Sequence, residues 1–157
     1  MAMVYFLKIN GIPGESIDDV HKDEIAVLSV AWGVSQSGTA AAGAGTTAGK
    51  AAFQDFTFVM GLNRSSPALM LACAQGQMIK EAVLTGRKSG ANQPDFFEVK
   101  LSDLIISAFQ ETAEIEVLQQ VSLNYSRIEY SYKRQKADGS LESPVSEGWD
   151  LAKNVKI

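Results

Sequence analysis

The sequence has a single cysteine, Cys73, and a single histidine, His21. One cysteine excludes an intramolecular disulfide and leaves no sign of an oxidising compartment. One histidine confines any Ser-His-Asp or Cys-His constellation to His21, which lies in a polar connecting segment. A zinc site would have to draw most of its ligands from carboxylates, an unusual set for that metal. Long apolar runs are also missing. The N-terminal MAMVYFLKING carries no early positive charge, and its apolar run, Met3 to Leu7, is five residues long. That is too short for a signal peptide or a membrane span, so the expectation is synthesis in the cytoplasm and no export by the ordinary signal-peptide route. Basic charge is not in excess either. A formal charge of −4 and a pI near 5 argue against nucleic acid or an anionic membrane as the main partner. The one basic cluster, Lys133, Arg134 and Lys136, sits beside Asp138 and Glu142 and reads as a solvated strand end.

What is present is 157 residues of ordinary globular composition, 46% apolar and 20% charged. That length suits one domain over residues 1–157 with a core that needs no staples. The chain is organised around Ile25 to Met60. Ile25 to Gln36 predicts a strand in which Leu28, Val30, Trp32 and Val34 face one way and the small Ser29, Ala31, Gly33 and Ser35 the other. Ala51 to Met60 predicts a second strand, carrying Phe53, Phe56, Phe58 and Val59. Between them, Ser37 to Gly49 is built only from Ser, Gly, Thr and Ala. No side chain there can anchor the loop, and ordering it costs on the order of 1–2 kcal/mol per residue. Loops this long and bare are uncommon in compact domains unless they are disordered or bind something. Half the loop, fully extended, reaches roughly 20 Å beyond the strand ends, far enough to touch a neighbouring subunit.

Elsewhere, Met3 to Ile9 predicts a first strand, closed by Asn10-Gly11 and the turn formers Pro13 and Gly14. A helix is predicted with Ser66 as N-cap, Pro67 at its first position and Gly76 at its left-handed exit. Its residues ALMLACAQ are apolar nearly all round, so both sides should be covered, one by the sheet and the other by a second subunit. Glu81 to Arg87 predicts a short strand. From Phe96 onward Phe97, Val99 and Leu101 alternate with polar residues, and the phase flips at Asp103 to Leu104 and Ile106. Val117 to Lys133 behaves alike: Val121, Leu123 and Tyr125 give way past Arg127 to Ile128, Tyr130 and Tyr132. Phase slips of this kind predict β-bulges. Two bent, overlong strands in turn predict a mainly β chain, an antiparallel barrel of two packed sheets with one short helix and a long hairpin loop.

Reactive chemistry finds little support. Gly43 to Ala48 fits the loose pattern G-x-G-x-x-[G/A], and Gly49-Lys50 resembles the end of a Walker A loop. The residue after the lysine is Ala51, without a hydroxyl, and a phosphate loop needs a helix where AAFQDFTFV predicts a strand. Asp18, Asp19, Asp23 and Glu24 lack EF-hand spacing and read as a solvated acidic loop. No catalytic set, cofactor or metal is therefore expected. The residues alone leave two readings open: a structural subunit that assembles with itself, or a monomeric ligand-binding barrel with the Gly/Ala loop as a lid.

Several stretches resemble, in order, the haemolysin-coregulated protein (Hcp) family, tube proteins of bacterial type VI secretion. They are FLKINGIPGES with His21; Trp32-Gly33 leading to Ser35-Gln36-Ser37-Gly38; Ser66-Pro67-Ala68-Leu69 leading to ACAQG; VSLNYSRIEYSY; QKADGS; and GWDLAKN. Asn63-Arg64 stands where the family pattern has Asp-Lys, and Ser107 to Glu114 lacks the Ser/Gly-rich character of the connection expected there. The resemblance implies a homohexameric ring, rings stacked into a hollow tube, effector proteins in the lumen, and a spike protein and contractile sheath as further partners. It implies export from the bacterial cytoplasm to the outside or into a target cell. It casts Gly38, Thr39, Ala40, Ala41, Ala42, Gly43, Ala44, Gly45, Thr46 and Thr47 as the ring-stacking loop. Ser29, Ala31, Gly33 and Ser35 become the lumen-facing residues, and Leu69, Met70 and Cys73 the ring-interface helix.

Overall fold

The computed structural model describes residues 2–38 and 49–157. Among them run β1 (Met3–Ile9), β2 (Ile25–Val27), β3 (Ser29–Ala31), β4 (Val34–Gln36), β5 (Ala51–Phe53) and β6 (Phe56–Gly61). Helix α1 (Ser66–Gln75) follows, then β7 (Ile79–Lys88), β8 (Asp95–Ala113), β9 (Val117–Tyr132), β10 (Val145–Asp150) and β11 (Val155–Lys156). The named strands pair antiparallel, and the order β11-β10-β9-β8-β7-β1-β2 carries most of them.

The hub is β9. One edge pairs β8 along its whole length, while the other pairs β6 through Leu118–Leu123 and β10 through Arg127–Tyr132. The long β8–β9 pair therefore belongs to two sheets at once, and these pack around the core. Phe56, Phe58 and Met60 alternate inward from β6, all fully buried, each contributing about 1.5–3 kcal/mol of apolar burial. They meet Val121, Leu123 and Tyr125 of β9, Leu101, Leu104 and Ile106 of β8, and Leu84, Leu7 and Ile25. Phe97 lies across its cross-strand partner Gly86, where any Cβ would collide with the ring.

The two predicted hairpin strands are each broken. Ile25–Gln36 is three strands because the chain changes partner: β2 pairs β1, β3 pairs β6, and β4 pairs β5. The first switch falls at Leu28, whose N–H donates to Val59 O at 2.8 Å. Ile25 and Val27 are buried, and Leu28 and Val34 are exposed while Val30 and Trp32 are part-buried, so the four residues expected on one face do not share one environment. Ala51–Met60 likewise breaks at Gln54–Asp55, between the β4–β5 ribbon and the barrel. No ladder joins β2 or β1 to β6. The hydrogen-bonded circuit through β1, β7, β8, β9, β6 and β3 returns to β2 only along the chain at Leu28.

The phase changes in β8 and β9 are real, but their cause differs from the bulges expected. Ser102 pairs Arg127 and Leu104 pairs Tyr125, so the register runs unchanged past Asp103, which has φ +50°. Both strands turn over together at paired residues, and nothing is inserted. The register shift lies farther on, between Ile106 and Ala108, with Ser107 as the extra residue. Ser107 to Ala113 belongs to β8 and is not a connection. Tyr130 and Tyr132 are half-exposed rather than core residues, and β7 is longer than predicted, starting at Ile79.

Candidate interaction surfaces

Helix α1 starts one residue earlier than expected, with Ser65 at the N-cap position. Asn63 organises that end: its Oδ1 accepts from Ser65 N–H at 2.8 Å and its Nδ2 donates to Gly61 O at 2.8 Å. Ser66 Oγ donates to buried Gln119 Oε1 at 2.6 Å, docking the helix on β9. Gly76 ends the helix at φ +61°, where Gln77 N–H reaches back to Ala72 O. One stripe, Ser66, Leu69 and Ala72, is buried. The opposite face is open: Pro67, Ala68, Met70, Leu71 and Ala74 are exposed, Met70 and Leu71 at 51% each. Of the three residues expected at a ring interface, Leu69 lies wholly in the chain's own core, Cys73 is part-exposed and Met70 is on the surface.

Ser29, Ala31 and Ser35 are exposed, while Val30 and Trp32 pack against the core, so the small residues do face outward. They do not form one continuous strip, because the strand breaks at Trp32–Gly33. Of the predicted loop, Gly38 is described, its N–H donating to Gln36 Oε1 at 3.0 Å. Thr39, Ala40, Ala41, Ala42, Gly43, Ala44, Gly45, Thr46 and Thr47 lie outside the described residues. Lys50 leads into β5, a strand, so no helix N-terminus follows the Gly-Lys pair.

The acidic connection has more structure than a solvated loop. Buried His21 stands between two carboxylates, with Nδ1 3.0 Å from Glu24 and Nε2 2.9 Å from Asp95 Oδ2. Its ring stacks on Phe6 at 4.6 Å, and Arg87 covers the Phe6 ring. Arg87 in turn bonds Asp18, and that bond holds the Asp18 carboxyl below its ordinary range. With both ring nitrogens engaged, His21 has none left to activate a nucleophile. Among the described residues no group of three or more His, Cys, Asp or Glu is placed to hold a metal ion. An open recess of about 420 Å³ is walled by Tyr5, Leu28, Val30, Trp32, Leu84, Phe97 and Tyr130. Its side-chain polar groups are the Tyr5 and Tyr130 hydroxyls, Ser29 and the Trp32 indole N–H, with no charged side chain among them to fix a ligand.

These features define a class first: a mainly β protein of two packed antiparallel sheets, with one helix and a separate two-stranded ribbon. The family profile "Type VI secretion system effector, Hcp" matches residues 6–132. The Hcp1 protein of Pseudomonas aeruginosa is 38% identical over 161 aligned residues covering 99% of each chain. The crystal structure of Hcp1 from Salmonella typhimurium superposes with a TM-score of 0.83 at 34% identity over the whole of both chains. Another, a type six secretion system protein, reaches 0.92 at 26% identity over 99% of this chain and 100% of that one. The chain belongs to the Hcp family of type VI secretion system proteins.

Proposed function

We propose that the chain is a structural subunit of a type VI secretion tube. Six copies close into a ring, rings stack into a hollow tube, and the lumen carries effector proteins. The spike protein and contractile sheath of the same system engage that tube. The observation that carries this reading is the outward face of α1. A helix whose far side presents Pro67, Ala68, Met70, Leu71 and Ala74 to water calls for a covering surface, and a second copy of the chain supplies one. Met70 and Cys73 then lie at the ring interface, with Leu69 supporting them from beneath.

Ser29, Ala31, Gly33 and Ser35 face the lumen, where short side chains keep the wall thin. Residues Gly38 to Thr47 reach the adjacent ring. A head-to-tail contact closes where its rotation permits and runs open-ended where it does not; ring closure and stacking use the two cases together. No catalysis and no cofactor are assigned, and the protein leaves the bacterial cytoplasm through the type VI secretion system.

Light scattering and electron microscopy test this directly. The expected result is a particle of six 16.9 kDa chains, annular with an empty centre. A second reading, a monomeric ligand-binding barrel, has the aromatic recess in its favour. A particle of one chain's mass at micromolar concentration would select it over the ring.

A further inference from the structure

The β4–β5 ribbon leaves the barrel through two bends, and both are tied down. Gly33 O, on the outgoing leg, accepts from Gln54 N–H on the returning leg at 2.9 Å. The Gln54 side chain lies over Gly33, where a Cβ would come within 3.2 Å of Oε1. Gln54 O accepts from the Tyr125 hydroxyl at 2.8 Å, and Phe53 sets its ring edge-on to Tyr125 at 6.3 Å. Asp55 then divides its carboxylate between two strands. Oδ2 accepts from Ser107 Oγ of β8 at 2.7 Å, and Oδ1 accepts from Asn124 Nδ2 of β9 at 2.8 Å.

Hydrogen bonds to an ionised acceptor are shorter and stronger than neutral ones. Two of them, aimed at different strands, fix an orientation and not only a position. The arrangement also accounts for the register shift in β8. Ser107 has no partner in the β9 ladder, and its hydroxyl bonds Asp55 instead.

We propose that Asp55, Ser107, Asn124 and Tyr125 are positioning residues that fix the direction in which the ribbon leaves the barrel. The consequence for assembly rests on the tube reading above. A ribbon already aimed at the next ring loses less conformational entropy on contact than one free to swing. Asp55 is only half-buried, and the core residues Phe56, Phe58 and Met60 lie beyond it, so its removal leaves the barrel folded.

The experiment compares Asp55→Ala, Asp55→Asn and Ser107→Ala with the parent. In a Cys73→Ser background, spin labels at Ala52→Cys on the ribbon and Gln120→Cys on the barrel report the distance between them, with labelled chains diluted into unlabelled ones. Asp55→Ala is expected to broaden that distance distribution. Asp55→Asn, which can still accept from Asn124 and donate to Ser107, is expected to keep it narrow. Ser107→Ala, which removes one bond, falls between them. Stacking of rings, read by sedimentation, is expected to weaken about tenfold in Asp55→Ala with ring mass unchanged. An Asp55→Ala distribution as narrow as the parent's overturns the proposal, whether or not the protein stacks. A parent that forms no rings while Asp55→Ala still broadens the distribution overturns the tube reading and leaves the clamp standing.

Discussion

Tyr125 is only 4% exposed and donates its hydroxyl to Gln54 O. Burial, with the nearby Asp55 charge second, pushes its pKa up from 10 to about 12. The folded chain thus keeps a proton that the unfolded chain gives up above about pH 10. The stability this contributes is fully present below pH 10 and is lost as pH rises toward 12. Tyr125→Phe removes the titrating group and leaves Gln54 O without its partner, so near neutral pH it is expected to cost about 1 kcal/mol. Its stability should then fall less steeply than the parent's between about pH 10 and 12, as denaturant melts across that range would show. An equal slope in both proteins would place the alkaline sensitivity elsewhere. Tyr125 is legible in the sequence as an inward residue of a long strand, but its hydroxyl partner is not, since Gln54 lies 71 residues away. His21 is similar. Its solitude is visible at once, whereas Asp95, 74 residues along, becomes its neighbour only when β8 folds beside β1's connection.

Helix α1 is the element in which sequence and structure agree best, because its signals are local: Pro67 near one end and Gly76 at the other. Its even apolar coat says that both sides need cover, yet the sequence does not say which side meets the barrel. That is settled by Ser66 bonding Gln119 and by the depth of Leu69 and Ala72. Met70→Glu with Leu71→Glu is expected to leave the thermal melt of the isolated chain within about 0.5 kcal/mol of the parent's, as exposed substitutions usually do. On the ring reading the same pair places two charges in an apolar contact and converts rings to single chains. Light scattering beside a melting curve checks both halves. Strands β8 and β9 show the opposite balance. Their phase changes can be counted in the sequence, but a paired turnover and an inserted residue leave the same trace in one strand. Only the partner's register separates them. The breaks at Leu28 and Gln54–Asp55 are equally silent, because each marks a change of neighbour, which β-propensity does not record.

On the tube reading proposed above, two contacts do different work for the molecule as a whole: the α1 face within a ring and the Gly38–Thr47 loop between rings. Replacing Ala41 and Ala44 by Glu is expected to leave ring mass unchanged and to shorten stacks in electron micrographs, because charge would be buried between rings. Tubes of parental length would remove the loop from that role. The switch at Leu28 bears on the barrel itself. A ladder can come apart one rung at a time from its end, but here the last gap in the wall is spanned by peptide bonds. Prising the wall apart at that point means pulling β2 from β1 and β3 from β6 together, so the place where fraying would ordinarily begin is held by the chain itself.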